Sequence, residues 1–188
     1  MTLSQALFPA QGRLGQVALV LLGTVFIAIA ARISVPMLPV PMTLQTLAIL
    51  IVGLTFGARM GAATLLVYLV QGAMGLPVFT PTTAPGLAAF AGPTAGFLVG
   101  FVGLALLAGW AADRGLTRNA LTTAPVCIAA SALLYVPGLL WPAAFLGKSW
   151  DVLWLYWMSP FLLGDAVKAV LAALIVTGGW AALRARHG

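Results

Sequence analysis

Charge is scarce in this chain: 6% of its residues are charged, with three acidic side chains against nine basic ones and a net charge of +6. A soluble domain carries about a quarter of its residues as Asp, Glu, Lys or Arg, so that class is excluded. The single cysteine, Cys127, excludes an intrachain disulfide and, set in an apolar run, reads as a small core residue. Histidine occurs once, as His187, at a solvated tail position. No H-E-x-x-H, G-x-S-x-G or Walker lysine motif is present, so metalloprotease, serine-hydrolase and nucleotide-hydrolysing chemistry have no residues to act through. Neither a catalytic group nor a metal site is expected. The basic residues sit singly at segment ends rather than among aromatics, which excludes a nucleic-acid surface.

Apolar sequence is abundant instead. Hydrophobic residues make up 62% of the chain, in several runs of 14 to 23 residues. Such runs exclude a transmembrane barrel, whose strands alternate over segments of about ten residues. The expected fold class is an all-α membrane protein, one integral domain over 1–188 with six transmembrane helices at 17–33, 43–56, 61–73, 94–111, 124–140 and 160–182. The second and third are short, about 20 Å each, and need neighbours or loops to complete their burial. An A-x-A pattern at Ala28 and Ala30 would also suit a cleavable signal peptide, but the first span is expected to stay in place.

Arg13, Arg59, Arg114, Arg118, Arg184 and Arg186 gather at one set of span ends, whereas Arg32 and Lys148 lie at the other. The positive-inside bias then places both termini in the cytoplasm and the loops at 34–42, 74–93 and 141–159 outside, in a bacterial cytoplasmic membrane. The inner turns, FGARMG and ADRGLTRN, are brief and basic, as suits contact with anionic lipid. Two outer segments, ISVPMLPVPM and GLPVFTPTTAPGLAAFAGP, are too rich in proline and glycine to continue a helix, yet apolar enough to stay buried. Irregular backbone at membrane depth survives only against protein or a cavity, so these loops are expected to re-enter and roof an outward-facing pocket. Trp150, Trp154 and Trp157 form a stripe suited to the headgroup layer, with Trp157 best set to reach a ligand. Glycines at 53, 57 and 61 and at 92, 96 and 100 make smooth faces for internal helix packing or, alternatively, for a partner such as a second copy in a homo-oligomer.

Near the start of the last run, SPFLLGDAVKAVLAALIVTGGW, stand Asp165 and Lys168. An ionisable side chain at bilayer depth costs about 2.5 to 3.5 kcal/mol even on the lenient insertion scale. Two readings follow: a self-neutralising pair that staples helices together, or a binding site for a small polar solute. Depth favours the second. Asp165 lies roughly 7 to 8 Å along the helix from its outer end, with Lys168 one turn deeper. Gln45, Gln71 and Arg32 sit at the same outer level, while the inner halves of the spans are almost purely apolar. Buried polar groups without partners cost about 1 to 3 kcal/mol each, so their convergence implies a mutual network or a ligand that completes one.

Four strings then appear in order: VPMTLQTLAILIVG at 40–53, GLPVF at 75–79, GPTAGFLVGF at 92–101 and GDAVK at 164–168. Together they resemble the biotin transporter BioY family, the substrate-capturing S components of energy-coupling-factor transporters, over essentially the whole chain. The resemblance implies six helices, an outward pocket under the first two outer loops, and biotin as transported ligand rather than cofactor. It also implies a coupling subunit and ATPases as partners. Asp165 and Lys168 match the family's G-D-x-x-K element, and Thr43, Leu44 and Gln45 its T-L-Q element; Phe97 stands where the family commonly has tyrosine. Asp165 would accept from the ureido N–H groups, and Lys168 would donate to the ureido carbonyl or to the ligand's carboxylate. Leu44, Phe79 and Trp157 would supply apolar walls, with Gly92, Thr94 and Gln71 completing the candidate set. An ion- or proton-coupled carrier for another small solute is the alternative, and a purely structural membrane subunit a third reading.

Overall fold

The computed structural model describes residues 2–7 and 12–187, with the side chains of Arg186 and His187 outside that set, so the tail reading of His187 lies beyond it. After a short helix, α1 (Leu3–Leu7), come α2 (Arg13–Arg32), a two-residue hairpin of β1 (Ser34–Val35) and β2 (Met42–Thr43), α3 (Gln45–Phe56) and α4 (Ala58–Ala73). A 3₁₀ turn at Gly86–Ala91 leads into α5 (Ala95–Asp113), followed by α6 (Ala120–Phe145), α7 (Trp150–Leu153), a π turn at Trp154–Met158 and α8 (Leu162–His187).

Each of the six apolar runs holds one of the helices α2 to α6 and α8. Among the described residues, four are long and apolar enough to cross a membrane by length and composition: Arg13–Arg32, Ala95–Asp113, Ala120–Phe145 and Leu162–Ala185. α3 and α4 fall short at 12 and 16 residues, because Gly57, at φ 83°, breaks the run into two. α3 compensates by burial. It is apolar all round, and Ile49, Leu50 and Leu54 expose no surface.

α5 is the hub, packed against α3, α4 and α6, while α8 packs on α6 and α3 and α2 on α4 and α3. Small residues allow this closeness. A Cβ at Gly96 would lie 2.1 Å from the Pro137 carbonyl oxygen of α6, and one at Gly109 would lie 2.4 Å from the Ala58 nitrogen of α4. Gly53, Gly61 and Gly100 also face neighbouring helices, so these glycines are spent on internal packing. Where α5 ends and α4 begins, Asp113 Oδ2 accepts from the Ala58 N–H at 3.0 Å, capping α4.

Cys127 is buried, as its sequence setting predicts. The outer surface of the long helices is apolar: Leu22 and Ile29 of α2, Leu133 and Val136 of α6, and Leu171 and Ile175 of α8 are all exposed. A soluble monomer rarely presents contiguous apolar surface on this scale. The chain is a multi-pass membrane protein.

Candidate ligand-binding site

At the bundle end opposite the Asp113 cap, the loops at 33–44 and 74–94 roof a cavity of about 60 Å³ that opens at a mouth. The β1–β2 hairpin pairs Ser34 with Thr43 and Val35 with Met42, and the segment it closes lays Val40, Pro41 and Met42 against one wall. Thr80 and Thr83 come from the second loop, Phe97, Leu98 and Phe101 from α5, and Leu134 and Tyr135 from α6. Phe161, Asp165 and Lys168 complete the wall from the start of α8.

Asp165 and Lys168 share one helix face, and Lys168 Nζ lies 2.7 Å from Asp165 Oδ1, with the two side chains 8% and 13% exposed. The ammonium also donates to the Thr43 carbonyl at 3.0 Å and to Thr46 Oγ1 at 3.1 Å. Its three protons are therefore all placed. The Tyr135 hydroxyl donates to Asp165 Oδ2 at 2.5 Å. A carboxylate has about four acceptor positions, so Asp165, which lines the cavity, keeps about two beyond these partners. Phe97, without a hydroxyl, packs edge-on against Tyr135 with ring centroids 6.0 Å apart.

A second chain of hydrogen bonds braces the same end. Gln45 Nε2 donates to the Tyr68 hydroxyl at 2.7 Å, which donates in turn to the Val78 carbonyl at 2.8 Å. That chain ties α3 through α4 to the loop over the cavity.

Of the residues singled out by sequence, Asp165, Lys168, Gln45, Thr43 and Thr94 line one cavity. Five others do not. Leu44 caps α3 with its side chain turned partly outward, about 100° around the helix from Gln45. Phe79 is buried in the core over Gly72, edge-on to Tyr68 and Phe90. Gly92 lies in the turn before α5, where its carbonyl accepts from Ala95 at 3.2 Å. Trp157 is buried behind the wall among Val40, Tyr135, Leu153 and Phe161, its indole N–H 3.4 Å from the Pro93 carbonyl, while Trp150 and Trp154 are exposed. Gln71 opens onto a separate groove with Thr24, Arg32 and Pro77. Its neighbour Gly72 is the core-facing residue of that turn, which rotates Gln71 away from the cavity. The polar side chains sorted to one depth thus divide into two groups, and Arg32, donating to the Pro77 carbonyl, belongs to the second.

Tyr135 and Thr46 went unnoticed in the sequence. A tyrosine inside an apolar run is itself a signal, since a buried phenol requires a partner. Thr46 follows Gln45 directly but offers no comparable cue.

Comparison with known families matches residues 4–185 to the BioY family. The chain belongs to that family. It is similar to the biotin transporter BioY2 of Lactococcus lactis subsp. cremoris, with 34% identity over 92% of each chain. A probable biotin transporter BioY of Pyrococcus horikoshii is 32% identical over 85% of this chain and 93% of the relative. Among solved structures, the S-component for biotin from an ECF-type ABC transporter aligns with a TM-score of 0.77 at 23% identity, covering 95% of this chain and 96% of that one. At that identity the likeness establishes a shared fold.

Proposed function

We propose that this protein captures biotin in the cavity at Asp165 and carries it across a bacterial cytoplasmic membrane as the S component of an energy-coupling-factor transporter. The observation that carries this reading is a largely buried carboxylate, paired with Lys168, that lines a cavity roofed by two loops in a BioY-family chain. Asp165 accepts from the ureido N–H groups, and the sulfur ring lies against Phe97, Phe101 and Leu134. Lys168, its protons already engaged, acts by orienting Asp165 and the first loop instead of touching the ligand.

In this reading α2 to α6 and α8 all span the membrane, with the short α3 and α4 held at depth by their neighbours and lipid covering the apolar belt. The loops at 33–44 and 74–94 re-enter from the outer side, both termini are cytoplasmic, and a coupling subunit with ATPases supplies the energy. The names of the relatives support the ligand; the basic residues near Asp113 support the orientation.

A thermal-shift screen of the purified protein against water-soluble vitamins tests ligand identity, with biotin expected to give the dominant stabilisation. Labelled-biotin uptake in cells, with and without a coupling module, tests transport. Stabilisation by another vitamin and none by biotin would refute the proposal.

A further inference from the structure

Among the described residues, no unpaired positive charge lines the cavity. Of the basic residues with described side chains, Lys168 alone lines it, and its formal charge is matched by Asp165 at 2.7 Å. Its remaining protons sit on Thr43 and Thr46. Arg32, at the end of α2, is engaged at the Pro77 carbonyl and opens onto the separate groove, and Lys148, exposed in the loop after α6, does not line the cavity. A ligand carboxylate carried into this space would find no cation, and an uncompensated buried charge is strongly unfavourable.

Neutral polar groups do remain. Among the described residues, the hydroxyls of Thr80, Thr83 and Thr94 line the cavity without a hydrogen-bond partner. Thr83, half-buried, lines the cavity between two exposed residues, Thr82 and Ala84. A hydroxyl both donates and accepts, so it serves an amide C=O or N–H as readily as a carboxylate oxygen.

Resting on the biotin reading above, we infer that the site recognises the ureido end of its ligand and is indifferent to charge at the far end, so that its substrate class includes biotin amides, such as biotin joined to an amine through its carboxyl. The tail leaves through the threonine-lined mouth, where it stays in contact with water.

Titration calorimetry on the purified full chain tests this with biotin, its primary amide and its conjugate to the ε-amine of lysine. Both amides are expected to bind within about threefold of biotin, whereas a cation reserved for the carboxylate would separate them by about tenfold or more. Biotin binding with amides weakened beyond that factor overturns the inference and leaves the biotin reading standing. No binding by biotin or its amides overturns the biotin reading and this inference with it. In Thr83→Arg, a guanidinium at the mouth is expected to create a preference of about tenfold for the free acid. An unchanged acid-to-amide ratio in a folded Thr83→Arg protein would show that the tail does not pass Thr83, and would overturn the inference.

Discussion

The Lys168 ammonium on α8 donates to the backbone carbonyl of Thr43, 3.0 Å away and 125 residues earlier in the chain. Through Thr46 and Asp165 the same group joins the last helix, the start of α3 and the loop that closes the cavity. One side chain therefore sets both the floor and the roof of the site.

Lys168→Met keeps the aliphatic stem but strands Asp165, and removing one partner of a buried pair costs about 3 to 5 kcal/mol. Differential scanning fluorimetry in detergent is expected to show a large fall in Tm for this variant. The double variant Asp165→Asn with Lys168→Met should recover part of it. Purely additive losses would mean that the pair is not energetically coupled.

Asp165→Asn replaces an acceptor-only group by one that can present N–H to the ureido donors. Biotin affinity is expected to fall by about tenfold or more, the scale of a lost charge-assisted hydrogen bond. Titration calorimetry on folded protein measures it, and an unaltered Kd would remove Asp165 from the ureido role.

Tyr135→Phe deletes the 2.5 Å hydrogen bond to Asp165 Oδ2 while retaining the ring that packs on Phe97. Because the carboxylate loses one of its two protein partners, biotin binding should weaken by about three- to tenfold. A lower Tm with unchanged affinity would confine the tyrosine to a structural role.

Gln71→Leu serves as the contrast. Its side chain lines the groove beside Arg32 rather than the cavity. Biotin affinity is expected to stay within about twofold of the unmodified protein, since no contact to the site is lost. A larger drop would place Gln71 in the binding pathway.

Gly96→Val and Gly103→Ala test the helix packing. At Gly96 a Cβ would sit 2.1 Å from the Pro137 carbonyl, whereas nothing lies within 4 Å of one at Gly103. Overpacking costs about 1 to 3 kcal/mol or more when backbone must move, so Gly96→Val should lower the Tm or abolish monodisperse elution on size-exclusion chromatography. Gly103→Ala should be neutral or stabilising, as alanine is the better helix former by about 1 kcal/mol.

The apolar runs and their breaks already delimit the helices. α2, α5, α6 and α8 lie where long hydrophobic stretches run, and Gly57 marks the division between α3 and α4. Asp165 and Lys168 announce themselves because charge inside apolar sequence is costly enough to require a reason. Leu44, Phe79, Gly92, Trp157 and Gln71 were less readable. Each lies beside or near a cavity residue in the chain, but a helix turns about 100° per residue, and one step decides whether a side chain meets the cavity, the core or the surface.

Local pattern, acting through the cost of burying charge and the length needed to cross a bilayer, determined that this is a helical membrane protein with a polar site near one end of its last helix. The partners at that site follow from how the helices pack. Tyr135 reaches Asp165 because α6 packs along α8, and Lys168 reaches Thr43 because the hairpin at Ser34 and Thr43 returns the chain to the head of α3. Contacts between segments 30 and 125 residues apart depend on the rotation and approach of whole helices, which no short window of residues encodes.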